Sequence, residues 1–178
     1  MASDFQHRKV ATVFAAMDAD GDGYLTESDF RDLTTRWIAL RHDGDHTRLT
    51  AIMMGWWATL RDAAGTGQVT IGDVLAVVDQ LRQMPEAVTG TAEAMFEAVD
   101  ENADGHISPA EYRRLIEAWN GQETDTTEVF ELLDLNHDGY VSRSEFTEHW
   151  TEFWAGDNPA AAGSWIFGFF PADAGLRP

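Results

Sequence analysis

One pattern of spaced acids occurs three times in this chain and constrains its fold more than any other feature. Each copy has Asp at its first and fifth places, Asp or Asn at its third, Gly at its sixth and an acid at its twelfth. The copies are residues 18–29, 100–111 and 134–145, here named loops one, three and four. Short oxygen-bearing side chains at alternate places of a tight turn point at one spot, where a hard cation requiring about 6–8 oxygens can bind. The sequence therefore predicts three calcium loops.

The other places of these loops also carry residues suited to a calcium site. Gly at the sixth place permits a sharp turn, and the seventh place binds through its backbone carbonyl, so that Tyr or His is tolerated there. Thr or Ser at the ninth place reaches the ion, often through a water molecule. The candidate ligands are Asp18, Asp20, Asp22, Tyr24, Thr26, Asp29, Asp100, Asn102, Asp104, His106, Ser108, Glu111, Asp134, Asn136, Asp138, Tyr140, Ser142 and Glu145. Asp29 is shorter than the Glu of loops three and four, so we expect Mg²⁺ to compete best with Ca²⁺ in loop one.

Apolar residues repeat around the three loops in the same phase. Phe14, Phe96 and Phe130 each stand four residues before a first-place ligand, and an aromatic residue follows each twelfth-place acid. Apolar residues at helical spacing continue on both sides of the loops. Each loop with its flanks is therefore predicted to be an EF-hand, the helix–loop–helix unit that binds calcium.

EF-hands occur in pairs, and the gap between loops one and three is long enough for a fourth unit. Its best register is residues 62–73, which places Gly67 at the sixth position and an acid at the twelfth. This loop has no ligand at its third place, so we expect it to be structural and to hold no metal. Val69 should pair with Leu25 in a short β contact. The sequence thus predicts an all-α protein of four EF-hands in two packed lobes, with short β contacts between paired loops.

The order of these units predicts how the chain is divided. Residues 1–84 form an N-terminal pair with a degenerate second hand, residues 85–156 form a C-terminal pair, and residues 157–178 form an apolar C-terminal extension. The join near Met84 is short, which favours lobes pressed together, and tryptophans on the predicted helices would fill the space between them. We expect the extension to pack on the core, the alternative being a calcium-gated lid or a partner-binding segment.

Composition narrows the choice of partners. The formal net charge is −19, and so acidic a chain offers no basic patch for nucleic acid or an anionic membrane. The sequence has no Cys, no signal-peptide pattern at its start and no apolar run of ~20 residues. It also lacks a nucleophile elbow and a phosphate loop. We therefore expect a cytoplasmic, monomeric protein that is not an enzyme and whose partners are calcium ions.

The architecture adds a family resemblance to these arguments. Four EF-hands with a weak second hand, an aromatic-rich helix set, a short join and a C-terminal extension resemble the sarcoplasmic calcium-binding protein family, particularly its bacterial calerythrin-like members. This resemblance implies a compact cytoplasmic buffer or transporter of calcium, with ligands at the matching places of loops one, three and four. The photoprotein and luciferin-binding branches share the compact fold and a tryptophan-lined cavity.

Two other functions stay open at this point. A calcium sensor would expose a hydrophobic surface to a target protein, although no target is indicated. Alternatively, an apolar, luciferin-like small molecule could occupy the tryptophan-rich centre, and His149 beside Trp150 is the one residue suggestive of such a site, although a core histidine is more common. His42 and His46 have the spacing of a metal pair, but the intervening Gly44 favours a solvated loop.

Overall fold

Helices dominate the structure, a computed structural model that describes residues 3–40 and 46–169. In chain order the α-helices of these residues are α1 Asp4–Met17, α2 Glu27–Leu40, α3 Thr47–Ala64, α4 Ile71–Leu81, α5 Pro85–Val99, α6 Pro109–Asn120, α7 Thr127–Leu133 and α8 Arg143–Ala155. Two short strands, β1 His106–Ile107 and β2 Val141–Ser142, and one 3-10 turn, Ala162–Trp165, complete the elements. The predicted all-α fold of four helix–loop–helix units is confirmed. No helix in the described part of the chain has both the length and the apolar character needed to cross a membrane.

The acids of the loops also set where the helices begin and end. Helices α1, α5 and α7 each end at the residue before a first-place Asp, which caps the helix. Helix α6 begins after Ser108, whose hydroxyl accepts the backbone N–H of Glu111 while the Glu111 carboxylate accepts the N–H of Ser108. Ser142 and Glu145 repeat this capping box at the start of α8. A capping box pairs two N–H groups that the first helical turn leaves without partners.

Paired loops join through short β contacts, as the sequence predicts. Strands β1 and β2 are antiparallel, with Ile107 opposite Val141. Between the first two loops, the Leu25 N–H donates to the Val69 carbonyl at 2.8 Å, and the Val69 N–H donates to the Leu25 carbonyl at 2.9 Å. All four side chains are buried, so each contact is also part of the core.

The second loop differs from its predicted register in its first three places. Helix α3 continues through Ala64, so Asp62 is helical, and its carboxylate accepts a hydrogen bond from Arg61 Nη2 at 2.8 Å. The left-handed turn falls at Gly65, with φ of 69°, and not at Gly67. Alanines at the second and third places explain the difference, because Ala favours continuation of a helix and supplies no ligand that would end it. The second half of the register, including the Val69 contact, is correct.

Aromatic side chains connect the first pair of hands to the second. Trp37 of α2 and Trp119 of α6 have ring centroids 6.4 Å apart, and Trp56 of α3 and Trp150 of α8 have theirs 5.9 Å apart. These contacts place tryptophans between the two halves of the chain, as expected. The domain bounds at residues 84 and 156 stay predictions.

The described part of the C-terminal extension lies against the C-terminal helices. Trp165, Ile166 and Phe167 are buried, and the Tyr112 hydroxyl donates to the Ile166 carbonyl at 2.9 Å. The Phe167 ring lies 4.8 Å from that of Trp119. Residues 170–178 of the predicted extension lie outside the described residues.

Candidate metal centres

Loop one brings three carboxylates together. One oxygen each from Asp18, Asp20 and Asp22 lies within 4.8 Å of the others. Backbone donors hold the cluster in place: Gly23 N–H donates to Asp18 Oδ2 at 2.9 Å, and Asp22 N–H contacts Asp18 Oδ1 and Asp20 Oδ1, each at 3.2 Å. Like charges at this separation repel one another, so the arrangement favours a bound cation.

Loops three and four repeat the same network of backbone donors. In loop three, Gly105 N–H donates to Asp100 Oδ2 at 2.9 Å and Asp104 N–H to Asp100 Oδ1 at 3.1 Å. In loop four, Gly139 N–H donates to Asp134 Oδ2 at 2.8 Å, and Asp138 N–H donates to Asp134 Oδ1 at 3.2 Å. The third-place Asn102 and Asn136 each accept the fifth-place N–H through their Oδ1 at 3.0 Å. Three loops with different sequences therefore reach one geometry.

The sharp turn needs left-handed backbone at two places of each loop. Sixth-place glycines have φ of 84° to 89°, a region in which a Cβ is costly. The fourth place is also left-handed, with Gly21 in loop one but Ala103, at φ of 57°, in loop three and His137, at φ of 58°, in loop four. Loops three and four thus hold one strained residue each, whereas loop one holds none of this kind.

The twelfth-place acids tie the start of each exiting helix to its loop. Asp29, Glu111 and Glu145 are all buried. One carboxylate oxygen of each accepts the ninth-place N–H at 2.8 Å. The other oxygen accepts the second-place N–H, at 3.3 Å in loop one, 3.0 Å in loop three and 3.1 Å in loop four. These bonds position each twelfth-place acid at its loop. The bond to the second-place N–H is longest at Asp29, whose side chain is shorter than that of Glu.

The seventh and ninth places contribute in different ways. Side chains of Tyr24, His106 and Tyr140 are exposed, which fits positions that can act through the backbone carbonyl alone. The ninth-place hydroxyl in each loop donates to its twelfth-place carboxylate at 2.7 Å. Thr or Ser at this place thus orients the acid, and Ser108 and Ser142 also cap their helices.

Loop two has lost most of this machinery. Its Thr66 hydroxyl donates to the Gln68 carbonyl at 2.7 Å, and its first-place Asp is helical. Only the twelfth-place Asp73 keeps its position, where hydrogen bonds from the Thr70 hydroxyl and backbone N–H lower the pKa of its carboxyl. That carboxylate caps helix α4, which is a structural role.

Two of the histidines singled out in the sequence, His46 and His149, lie in the described part of the chain. His149 is buried, and its Nε2 donates to the Leu133 carbonyl at 2.7 Å, which fits a neutral ring because burial lowers the pKa of this residue. His46 directly precedes helix α3, while its expected loop neighbour His42 lies outside the described residues. This geometry supports a structural role for His149, which is the more common role of a core histidine.

An apolar cavity lies between the two pairs of hands. Its volume is about 230 Å³, and helices α1, α2, α3, α4, α5, α6 and α8 contribute its walls. Trp56, Trp119, Trp150 and Trp154 line it together with other aromatic and aliphatic side chains. Trp150 donates its indole N–H to Thr91 Oγ1 at 3.1 Å, but the buried N–H groups of Trp119 and Trp154 have no acceptor in the described part of the chain. Sequence patterns indicate such a tryptophan cluster but not its hydrogen bonding.

Comparison with known proteins yields matches along the chain. A model of the EF-hand domain pair matches residues 90–151, and an EF-hand model matches residues 10–34. The sarcoplasmic calcium-binding protein of Hediste diversicolor is 30% identical over 118 residues, which cover 62% of this chain and 67% of that protein.

Two solved structures share the fold along nearly the whole chain. One is the calcium-loaded apo form of the coelenterazine-binding protein of Renilla muelleri, with a TM-score of 0.72, 18% identity, and coverage of 95% of this chain and 100% of that one. The other is a sarcoplasmic calcium-binding protein from amphioxus, with a TM-score of 0.67, 21% identity, and coverage of 96% and 100%. At these identities the two matches establish the fold alone.

Proposed function

This chain belongs to the EF-hand superfamily of calcium-binding proteins, as a relative of the sarcoplasmic calcium-binding proteins, and on that premise we propose that it is a cytoplasmic calcium buffer. It takes up three Ca²⁺ ions, one in each of loops one, three and four. The ligands in this proposal are the residues at the first, third, fifth, seventh, ninth and twelfth places of those loops.

The observation that carries the proposal is the common scaffold of the three loops. Backbone N–H groups of each loop hold the first-place and third-place oxygens, and the ninth-place residue holds the twelfth-place acid. Holding the carboxylates close together destabilises the protein through their mutual electrostatic repulsion, and a bound divalent cation removes that repulsion. Loop two keeps only the bonds from Thr70 to Asp73 and has no such scaffold at its first and third places, which supports three ions and not four.

A buffer is favoured over a sensor by what fills the apolar interior. Calcium sensors expose a groove rich in flexible Met on loading. Here Met17, Met53 and Met95 are buried in the core, and the C-terminal extension covers helices α6 and α8 with buried Trp165 and Phe167. We therefore expect calcium to tighten this protein and not to open it.

A hydrophobic dye distinguishes the two roles. Dye fluorescence should be higher for the chelated protein than for the calcium-loaded protein, because empty loops leave the helices less firmly held. A variant carrying both Glu111→Gln and Glu145→Gln should lose most of this calcium response, since its C-terminal loops cannot close around an ion. Greater dye binding with calcium than without it would contradict the buffer and favour a sensor.

A second candidate function rests on the two unpaired indole N–H groups at the cavity. A buried donor without an acceptor costs about 1–3 kcal/mol, and a bound molecule with a carbonyl or ring nitrogen would remove that cost. The cavity favours a small, planar and mostly apolar ligand, because it is apolar, is lined by tryptophans and is smaller than the roughly 300–1,000 Å³ of most ligand pockets. The Renilla relative, a coelenterazine-binding protein by name, has the same fold.

Quinoline, a small planar molecule whose ring nitrogen can accept an indole N–H, is the probe for this second function. Saturable quenching of tryptophan fluorescence, weakened by Trp119→Phe or Trp154→Phe, would support a ligand held by these indoles. The matched control is Trp165→Phe, because Trp165 is buried in the C-terminal extension and its indole N–H already donates to the Pro159 carbonyl at 3.1 Å. Quenching that is linear in quinoline concentration, or equal in all variants, would contradict this function.

A further inference from the structure

The first turns of α1 hold the C-terminal end of α8. Gln6 Nε2 donates to the carbonyl oxygens of Phe153 and Trp154, each at 3.1 Å, and the hydroxyl of Ser3 donates to the carboxylate of Asp157. Carbonyls of a last helical turn lack full partners within their own helix. Side chains from α1 therefore cap α8 from more than 140 residues away along the chain.

Lys9, one turn further along α1, strengthens the same contact. Its Nζ donates to the carbonyl oxygens of Glu152 and Gly156 at 3.1 and 3.0 Å. The ammonium group also lies 5.3 Å from the ring centre of Phe5 and 5.2 Å from that of Phe153. A cation at a helix C-terminus is stabilised by the helix dipole. We name this contact the α1–α8 clasp, formed by Ser3, Gln6 and Lys9 with residues 152–157.

The clasp is built from polar groups in a place where apolar groups would suffice. Gln6 and Lys9 are both completely buried. Removing an ammonium group from water is costly, and replacing a buried charge by an apolar side chain of similar size is often neutral or stabilising. What directed hydrogen bonds add, and apolar contact does not, is a fixed position of one helix relative to the other.

The two clasped helices belong to different calcium sites. Helix α1 ends at Met17, directly before the first ligand of loop one, about 18 Å along the helix from Gln6. Helix α8 carries the twelfth-place Glu145 of loop four in its first turn, about 12 Å from Phe153. Each helix is thus a rigid rod with a calcium loop at one end and the clasp at the other.

We propose that the α1–α8 clasp couples loops one and four, so that an ion in either loop raises the affinity of the other, with Gln6 and Lys9 as positioning residues. The inference rests on the proposed binding of calcium by both loops. An ion that orders one loop fixes its helix, and the clasp then fixes the second helix before the second ion arrives. The second ion has less conformational entropy to remove, which gives positive cooperativity.

The test is the effect of disabling one loop on the affinity of the other. The backbone amides of Gly23 and Gly139 report loops one and four separately by NMR, because each donates to the first-place carboxylate of its loop. Glu145→Gln should weaken calcium binding in loop one by about fivefold or more when the clasp is intact. The same substitution should weaken it less than about twofold in a protein that also carries Gln6→Leu and Lys9→Met.

Controls separate coupling from general destabilisation. Arg61→Met removes one positive charge from an exposed side chain of α3, away from the clasp, and should leave the coupling intact. Gln6→Leu alone, which keeps the Lys9 bonds, should reduce the coupling in part and covers the case in which the double variant does not fold. A structural role alone would lower stability but leave the Glu145→Gln effect equal in all backgrounds, and that equality would overturn the proposal. If the amide of Gly23 or Gly139 showed no calcium response in the unmodified protein, the proposed function itself would fail instead.

Discussion

The buried ammonium group of Lys9 predicts an unusual dependence of stability on pH. Burial lowers the pKa of Lys9 from its ordinary value of 10.5 to about 8. The negative charges of Glu152 and Asp157 raise this pKa, and the positive charge of Arg82 lowers it further, but burial has the largest effect. The unfolded chain therefore binds this proton more tightly than the folded protein does. The stabilising contribution is complete above pH 10.5 and is lost as the pH falls to about 8. A separation of about 2.5 pH units corresponds to about 3 kcal/mol in the free energy of unfolding.

Comparison with Lys9→Met isolates this contribution. Urea unfolding at saturating calcium, at pH values between 8 and 10.5, should show the unmodified protein gaining about 3 kcal/mol relative to the variant. The comparison cancels the tyrosines, including Tyr112, whose pKa is raised by burial and which destabilises both proteins at high pH. Arg61→Met should show no such trend against the unmodified protein.

The titration can also be observed directly. Lys9 is the sole lysine of the sequence, so lysine labelled with ¹³C at its ε carbon gives a single side-chain signal. That signal should titrate near pH 8 in the folded protein. Titration at or above pH 10, or a stability difference that stays flat with pH, would refute the argument that the ammonium group is buried at a cost.

Three further predictions concern single residues. Because Asp29 is shorter than Glu, loop one should retain Mg²⁺ best in competition with Ca²⁺, and stronger retention in loop three or four by NMR would contradict this. Ala103→Gly should relieve the left-handed backbone strain at this residue, which should increase either the calcium affinity of loop three or the stability of the protein by about 0.5–1 kcal/mol. A decrease in both quantities, measured by calorimetry, would contradict the argument that Ala103 is strained. A Cβ on Gly163 would lie 2.6 Å from the Cα of His149, so Gly163→Ala should lower the free energy of unfolding by about 1–3 kcal/mol. Gly90→Ala lies on an open helix face and should raise the free energy of unfolding. Equal effects of the two substitutions in urea unfolding would contradict this reasoning.

The calcium loops are predictable from sequence because their determinants are local. Ligand spacing, the sixth-place Gly and the flanking Phe residues all lie within one unit, and the apolar eighth places predict the Leu25–Val69 contact. The start of loop two is less predictable, because Asp62 has the right chemistry but helix propensity at the following alanines decides its conformation. Local competition between a helix and a loop is not visible in ligand spacing.

The clasp and the cavity depend on contacts between distant parts of the chain. Gln6 and Lys9 lie on the same face of α1 as the buried Val13, which is a sequence signal that these polar residues are buried. Their partners are backbone carbonyls of α8, which no side-chain pattern marks. The same holds for the indole of Trp119. Its burial is predictable from its residue type and its helical phase, but its lack of an acceptor depends on the packing of seven helices around the cavity.

The number of calcium ions bound tests the account most directly. Calorimetric titration of the chelated protein should give three Ca²⁺ per chain. Glu111→Gln and Glu145→Gln should each remove or strongly weaken one ion, because the twelfth-place carboxylate closes the shell around it. Asp73→Asn in loop two is the matched control and should leave three. Four ions in the unmodified protein, or an ion lost with Asp73→Asn, would contradict the assignment of calcium binding to loops one, three and four.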